Sequence, residues 1–312
     1  MYKEENMSEA FSTDIHVSER FTDSVSMGIK VSKQLYSADS EFQRIEVFEA
    51  PDLGRFLMLD GDILFSESDE FIYNEMVTHV PMAVHPNVKK VLIIGGGDGG
   101  VARELTAYPE IVDIEVVEPD EQMVEVCKKF FPEASKGFDD PRVHVVHQDG
   151  LRYLRGRKEE FDIIINDATD PFGHTEGLFT KEFYGSCFQA LKDDGIMVYQ
   201  HGSPFFDDDE ESFRAMHRKV FKVFPISRVY QAHIPTCPSG YWVFGFASKK
   251  YHPLNDFNPD RWKERHIKTY YYTTNLHRGA FMLPKYVEDI LEEEEGKFQK
   301  GQIGRTEGGF LI

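Results

Sequence analysis

The chain has 312 residues, 41% of them hydrophobic, enough for one large domain or two modest ones around substantial cores. Its 35 basic and 54 acidic side chains leave a formal net charge of −19, which repels phosphate backbones, excludes nucleic acid as an expected partner and attracts a polycation. Cys127, Cys187 and Cys237 form no C-x-x-C pair, no run of about 18 apolar residues occurs, and the start MYKEENMSEAFSTD is polar and acidic, so a disulfide scaffold, a structural zinc site, a membrane span and a targeting leader are not expected and the reducing cytoplasm is.

Residues 1–10 read as disordered. From Phe11 to Glu67 short strand-like runs follow, IKVSKQLYS, FQRIEVFEA and RFLMLDGDILFS, with Pro51-Asp52 and Asp60-Gly61 as turn signals. They predict a small N-terminal antiparallel β domain over residues 1–70. The pattern then changes. FIYNEMVTHVPMAV has helical spacing, with Phe71, Met76 and Val80 on its apolar face. Beyond it, strands at 91–95, 114–118, 143–147, 161–166 and 195–200 alternate with helices at 99–107, 120–131, 181–192 and 208–223. The strands are nearly continuous apolar runs, which suits burial on both faces of a parallel sheet. The expected fold class is therefore α/β, a doubly wound Rossmann-like domain over residues 71–312. SRVYQAH and YWVFGFAS read as a last pair of strands closing the sheet, followed by a polar stretch over 250–270 and a helix near 284–295. The acidic run Asp207–Glu211 suits a helix N-terminus, Glu292–Glu295 reads as a solvated face, and the Gly-rich tail as loosely held.

The loop Gly95-Gly96-Gly97-Asp98-Gly99-Gly100 follows the strand at 91–95 and opens a helix. Gly95, Gly97 and Gly100 satisfy G-x-G-x-x-G, and Glu118 ends the next strand about 20 residues on, where a carboxylate meets ribose hydroxyls. That pattern alone would suggest NAD. Asp98 argues otherwise, because it stands where a pyrophosphate would meet the helix N-terminus, and two anions there repel. A ligand carrying adenosine but a positive group at this point, such as a sulfonium nucleoside, avoids the clash. Asp98 can also cap the helix, and the two roles can coexist. Asp149-Gly150 follows the third strand of the sheet; Asp149 either caps the helix beginning LRYLR or accepts from an adenine amino group, and both readings stand.

FDIIINDATDP puts Asp167 at the end of a central strand and Asp170 three residues on, in a Pro- and Gly-rich loop long enough to act as a lid. Two carboxylates at a sheet edge repel unless a cation lies between them. An alkyl polyamine supplies cations, but with a pKa of about 10 it arrives protonated and non-nucleophilic. A carboxylate that orients the amine and takes its proton meets that need, the role assigned to Asp167, with Asp170 holding the amine. A plain turn-forming D-x-x-D-P pair is the structural alternative.

Taken together these residues resemble the polyamine aminopropyltransferases, chiefly the spermidine synthases. The resemblance runs through E-F-Q (41–43), DGDILFSESDEFIYNEM (60–76), HPNVKKVLIIGGGDGGVARE (85–104), FDDPRVHVVHQDG (138–150), FDIIINDATDP (161–171), IPTCPSGYWVFGF (234–246) and YYYTTNLHRGAFMLP (270–284), covering roughly residues 15–290. It implies decarboxylated S-adenosylmethionine as co-substrate, held by Gln43, Asp98, Glu118, Asp149 and Gly150, with no tightly bound cofactor and no metal. It implies that Tyr73 and Asp170 bind the acceptor amine and that Asp167 is the base. It also implies a methyltransferase-like Rossmann domain, and a homodimer or homotetramer.

Several positions depart from the family pattern. Asn74 replaces His or Gln, Leu64 a polar residue, and His174 a Pro. His201-Gly202 replaces Gly/Ser-Glu, and Cys237 replaces a Tyr that touches the acceptor. Putrescine is the first expectation for the acceptor. Agmatine, spermidine or an amine bearing a carboxylate, which His174 or His201 could pair with, are the alternatives. An amine N-methyltransferase using S-adenosylmethionine is the nearest rival, but its donor carries an α-carboxylate that Asp98 would repel. An NAD-dependent dehydrogenase and a non-catalytic polyamine-binding protein are more distant ones.

Overall fold

The computed structural model describes residues 15–168 and 173–299. The expectations for residues 1–10, for Asp170 and for the tail beyond 299 concern residues outside this range.

The N-terminal β region forms two sheets. β1 (Ile15–Arg20) and β2 (Ser26–Val31) make an antiparallel hairpin; β3 (Lys33–Asp39), β4 (Arg44–Ala50), β5 (Gly54–Leu59) and β6 (Asp62–Ser66) make a four-stranded meander. The run IKVSKQLYS, read as one strand, is divided at Ser32 between the two sheets. No Gly or Pro marks the break; Ser32 instead donates its N–H to Glu49 O as the chain passes from one sheet to the other. The expected Asp60-Gly61 turn joins β5 to β6 with both residues left-handed, φ 52° and 100°, the conformation a tight two-residue hairpin requires. Strand alternation gives the meander two apolar faces. Phe48, Phe56 and Met58 pack with Val31 of the hairpin. Ile45, Val47, Leu57 and Phe65 pack with Met123, Cys127 and Phe131, which come from the α/β region.

The α/β region is a seven-stranded sheet made of β7 (Lys90–Gly95), β8 (Asp113–Val117), β9 (Val143–Val146), β10 (Phe161–Asp167), β11 (Leu191–Gly202), β12 (Ile226–His233) and β13 (Tyr241–Ser248). Their order is β12-β13-β11-β10-β7-β8-β9, with β13 antiparallel to both its neighbours, β12 and β11, and the other pairs parallel. The strand order reverses between β7 and β10, which are themselves parallel. Helices cover both faces: α1 (Glu70–Val84), α2 (Gly100–Thr106), α3 (Glu121–Phe130), α4 (Pro132–Ser135), α5 (Gly150–Leu154), α6 (Lys181–Ala190), α7 (Asp207–Phe221), α8 (Pro259–Lys263), α9 (Thr274–Ala280) and α10 (Lys285–Gln299). Val91, Ile93, Ile163 and Ile165 face α1 and α2, while Leu92, Ile94 and Ile164 face α5 and α6. This is the doubly wound arrangement the continuous apolar strands predict. Among the described residues no helix is long and apolar enough to cross a membrane.

Three details differ from the sequence reading. The polar stretch 250–270 contains α8, capped by Asn258 accepting from Arg261 N at 2.9 Å. α1 is buried nearly all round, not on one face. Its Glu75, 2% exposed, accepts from the N–H groups of Tyr270, Tyr271 and Tyr272 at 2.7, 2.9 and 2.7 Å. Third, the reading of Glu292–Glu295 as a solvated face fails at Glu294. That residue is 3% exposed and receives Arg218 at 2.7 Å from α7.

Glu75 supports a direct prediction. Glu75→Gln exchanges one carboxylate oxygen for an N–H that faces backbone donors. The loss is expected to be about 3 kcal/mol, from hydrogen bonds to a buried charge. Urea denaturation would measure it, and a change under about 1 kcal/mol would mean that this carboxylate does not organise the 270–272 segment.

Candidate active site

The site lies at the carboxyl ends of β7 and β10, where the strand order reverses and ligands bind in folds of this kind. Asp167, last in β10, is paired directly with Gly95, last in β7. Glycine is required there. Gly95 has φ 83°, and a Cβ on it would lie 2.7 Å from Asp167 O; Gly96 has φ 79°, and its Cβ would lie 3.2 Å from Asp167 Oδ2. Gly97 leaves room for Glu118, whose Cγ would be 3.0 Å from a Cβ at that position. The glycine loop therefore lets three carboxylates approach one another.

Asp98, Glu118 and Asp149 are each held by local backbone. Asp98 Oδ1 accepts from Gly100 N, the first residue of α2, at 2.5 Å; the N-cap itself is Gly99, so Asp98 steadies the helix start from one residue before the cap while lining the cavity. Glu118 Oε1 accepts from Asp120 N at 2.9 Å. Asp149 caps α5, accepting from Arg152 N at 2.7 Å, and stands on the cavity rim. Gln43 comes from the β meander and donates to Asp120 Oδ2 at 3.1 Å; Ser40 Oγ donates to the same oxygen at 2.7 Å. Tyr73, on α1, packs its ring edge-on to Phe244 and directs its hydroxyl to Asp167. Asn74 donates to Glu70 at 2.7 Å, and Glu70 takes a two-pronged bond from Arg103 at 2.6 and 2.9 Å.

A cavity of about 530 Å³ brings these groups together. Gln43, Tyr73, Asn74, Gly95, Gly97, Asp98, Glu118, Asp149, Gly150, Asp167 and Cys237 all line it, as do Leu64 and His201. Of the residues singled out in the sequence, Asp170 and the side chain of His174 lie outside the described part. Sequence reasoning missed Asp69, which ties the Cys237 loop down: its Oδ2 accepts from Thr236 N at 3.0 Å and from Thr236 Oγ1 at 2.6 Å. It also missed Glu19 on β1 and Asp62 on β6, which reach the same cavity from the N-terminal sheets. Nothing local marks a strand carboxylate as belonging to a site on another sheet.

The electrostatics follow from crowding. Burial pushes Asp98 up to about 6, with Glu70 adding and the Gly100 N–H opposing. Burial, then Asp120 and Asp98, raise Glu118 to about 7. Burial, then the charge of Asp98, raise Asp167 well above the usual carboxylate value, against the hydrogen bond from Tyr73. Asp167 Oδ2 has no hydrogen-bond partner among the described residues. Such a group can hold a proton, and a cation beside it would return it to the ionised form.

A pH dependence follows with a definite sign. A cation favours the ionised carboxylates, so its binding releases protons from groups whose pKa values are raised. Affinity for a short alkyl diammonium ion is expected to rise from about pH 5 to pH 8 and to fall as the pH drops through the values of 6 and 7 of Asp98 and Glu118. Calorimetry in two buffers of different ionisation enthalpy counts the released protons. Zero release at pH 6 would contradict the raised values.

Comparison with known proteins agrees with this geometry. A family model described as the spermine/spermidine synthase domain matches residues 70–259, and one described as the spermidine synthase tetramerisation domain matches residues 15–67. A polyamine aminopropyltransferase of Streptococcus pneumoniae serotype 4 is 66% identical over 284 residues, 91% of this chain and 99% of the relative. One from Agathobacter rectalis is 65% identical over 280 residues, 90% and 98% of the two chains. A crystal structure of a spermidine synthase with the transition state analogue AdoDATO superposes with a TM-score of 0.87 at 42% identity, covering 89% of this chain and 95% of the other. The spermidine synthase of Thermotoga maritima gives a TM-score of 0.86 at 42% identity, covering 90% and 95%.

Proposed function

The chain belongs to the spermine/spermidine synthase family, and on that premise we propose that it transfers the aminopropyl group of decarboxylated S-adenosylmethionine to a small polyamine, putrescine first among the candidates. The observation that carries this reading is Asp98 and Asp167 on the wall of one cavity at the sheet switch, each with a raised pKa. The AdoDATO complex of a structural neighbour supports the choice of donor. Residues 1–70 would be the β domain and 71–312 the catalytic one, and the match at residues 15–67 supports a homodimer or homotetramer.

The proposed chemistry uses few groups. Asp98 holds the ammonium of the donor's aminopropyl arm. Glu118 receives the ribose hydroxyls, Asp149 the adenine amino group, and Gln43 and Gly150 close the nucleoside pocket. Tyr73 and Asp167 hold the incoming ammonium, with Asp170 and Asn74 beside them and Cys237 further along the acceptor pocket. Asp167 takes one proton, freeing the nitrogen lone pair. That nitrogen attacks the methylene next to the sulfonium; the N–C bond forms as the C–S bond breaks, and sulfur leaves as the neutral thioether of 5'-methylthioadenosine. The leaving group needs no acid, so positioning and proton removal supply the catalysis. A raised pKa at Asp167 suits it to accept that proton near neutral pH.

The test is to offer decarboxylated S-adenosylmethionine with putrescine, agmatine, spermidine and a carboxylated polyamine, and to identify the products by mass. One methylthioadenosine per aminopropylated amine is expected. Consumption of intact S-adenosylmethionine, with no methylthioadenosine from the decarboxylated donor, would replace this reading with methyl transfer.

A further inference from the structure

His201 is the second-last residue of β11, next to Gln200, whose side-chain amide donates to Ala168 O at 2.5 Å beside Asp167. It is 3% exposed and lines the cavity. Neither of its ring nitrogens has a hydrogen-bond partner among the described residues. Its ring packs on Phe213 with centroids 4.1 Å apart and the planes tilted by 31°. The neighbouring His217 ring lies 6.1 Å away, and its Nε2 is taken up by Glu295 at 3.2 Å. Other buried histidines do find partners: His79 meets Tyr108 at 2.7 Å, and His277 meets Tyr272 at 2.8 Å and Pro253 O at 2.9 Å. Buried polar groups are seldom left unpaired, and an unpaired one on a binding cavity points to a ligand.

Resting on the aminopropyl-transfer reading, we infer that His201 binds the acceptor amine by accepting a hydrogen bond from one of its N–H groups at a ring nitrogen, and so helps to select the acceptor. The chemistry of the position fits. Burial, then the adjacent His217, hold the His201 imidazole well below its ordinary pKa, so the ring stays neutral and offers a lone pair. A neutral acceptor adds a charge-assisted hydrogen bond to an ammonium without adding to the crowding of carboxylates nearby. It gives a substrate carboxylate no countercharge, so this residue favours an acceptor bearing cations only.

The experiment compares His201→Phe with His201→Gln. Phe keeps a ring packed on Phe213 but removes both nitrogens; Gln restores an oxygen acceptor. In His201→Phe the KM for putrescine is expected to rise about tenfold, with the KM for decarboxylated S-adenosylmethionine and kcat each within about twofold of wild type. His201→Gln is expected to recover most of the loss. An unchanged putrescine KM in His201→Phe, or a rise in both KM values together, overturns the inference. A wild-type protein that transfers no aminopropyl group to any amine would instead overturn the functional reading. The same contact is visible without substitution. In wild-type protein with ¹⁵N-labelled histidine, putrescine with methylthioadenosine should move one neutral ring nitrogen out of the range of an unbonded lone pair, and the absence of any such move also overturns the inference.

Discussion

Asp167→Asn is expected to lower kcat about a thousandfold, the middle of the range that a positioned base contributes, while nucleoside binding stays close to wild type. Asn keeps the shape of Asp and can still accept from the Tyr73 hydroxyl, but it cannot take a proton. The same substitution is expected to stabilise the fold at high pH. Asp167 has a raised pKa and a buried oxygen with no partner among the described residues, so its ionised form costs the folded state. That cost is present at pH values above the raised pKa and vanishes below the unfolded carboxyl value. Melting temperatures should therefore be higher for Asp167→Asn at pH 8 and converge with wild type near pH 4. Lost turnover with gained stability is the mark of an acid kept for chemistry. A rate loss under tenfold would move the base elsewhere, and Asp170 would be the next residue to replace.

The parts of this site that could be read from sequence share a cause. In a parallel sheet every strand end lies on one edge, so a polar residue just after an apolar run is automatically near the ligand. Asp98, Glu118, Asp149 and Asp167 are all of this kind, and all line one cavity. The glycines between them were legible because left-handed backbone and close approach leave no other residue type. The residues that were not legible reach the site, or support it, across large sequence separations. Asp69 holds Thr236, Glu75 holds Tyr270–Tyr272, and Glu19 and Asp62 reach the cavity from the N-terminal sheets. Their local sequence is that of an ordinary cap, helix or strand, and only the packed fold gives them their partners.

Glu294 is an instructive failure of a different sort, because its burial could have been found. On α10 it stands four residues after Ile290 and seven after Val287, both buried, so helical spacing puts it on the inward face. Arg214 and Arg218, four apart on α7, present the matching charges at 3.5 and 2.7 Å. Reading EEEE as a block hid a periodicity that a residue-by-residue count reveals. The division of IKVSKQLYS between two sheets had no such trace, since its composition is strand-like on both sides of Ser32.

Asp98→Asn separates aminopropyl transfer from methyl transfer more sharply than any other change. In the proposed complex Asp98 meets the terminal ammonium of the donor, next to the carbon where intact S-adenosylmethionine carries its α-carboxylate. The wild-type preference for the decarboxylated donor then combines an attraction gained with a repulsion avoided. Removing the charge is expected to weaken binding of the decarboxylated donor about a hundredfold, the value of a hydrogen bond between buried charges, and to weaken intact S-adenosylmethionine little or not at all. Asn can still accept from Gly100 N, so that bond at the start of α2 survives and the stability of the fold should stay within about 1 kcal/mol of wild type. A second effect separates lost binding from altered chemistry. The charge of Asp98 helps to raise Asp167, so its removal lowers the pKa of the base, and the acid limb of the kcat profile should move to lower pH. The apparent values belong to the cluster, so it is the shift between wild type and variant that is informative. Donor affinities in an unchanged ratio, with an unmoved acid limb, would mean that Asp98 serves α2 alone and that donor choice is made elsewhere in the cavity.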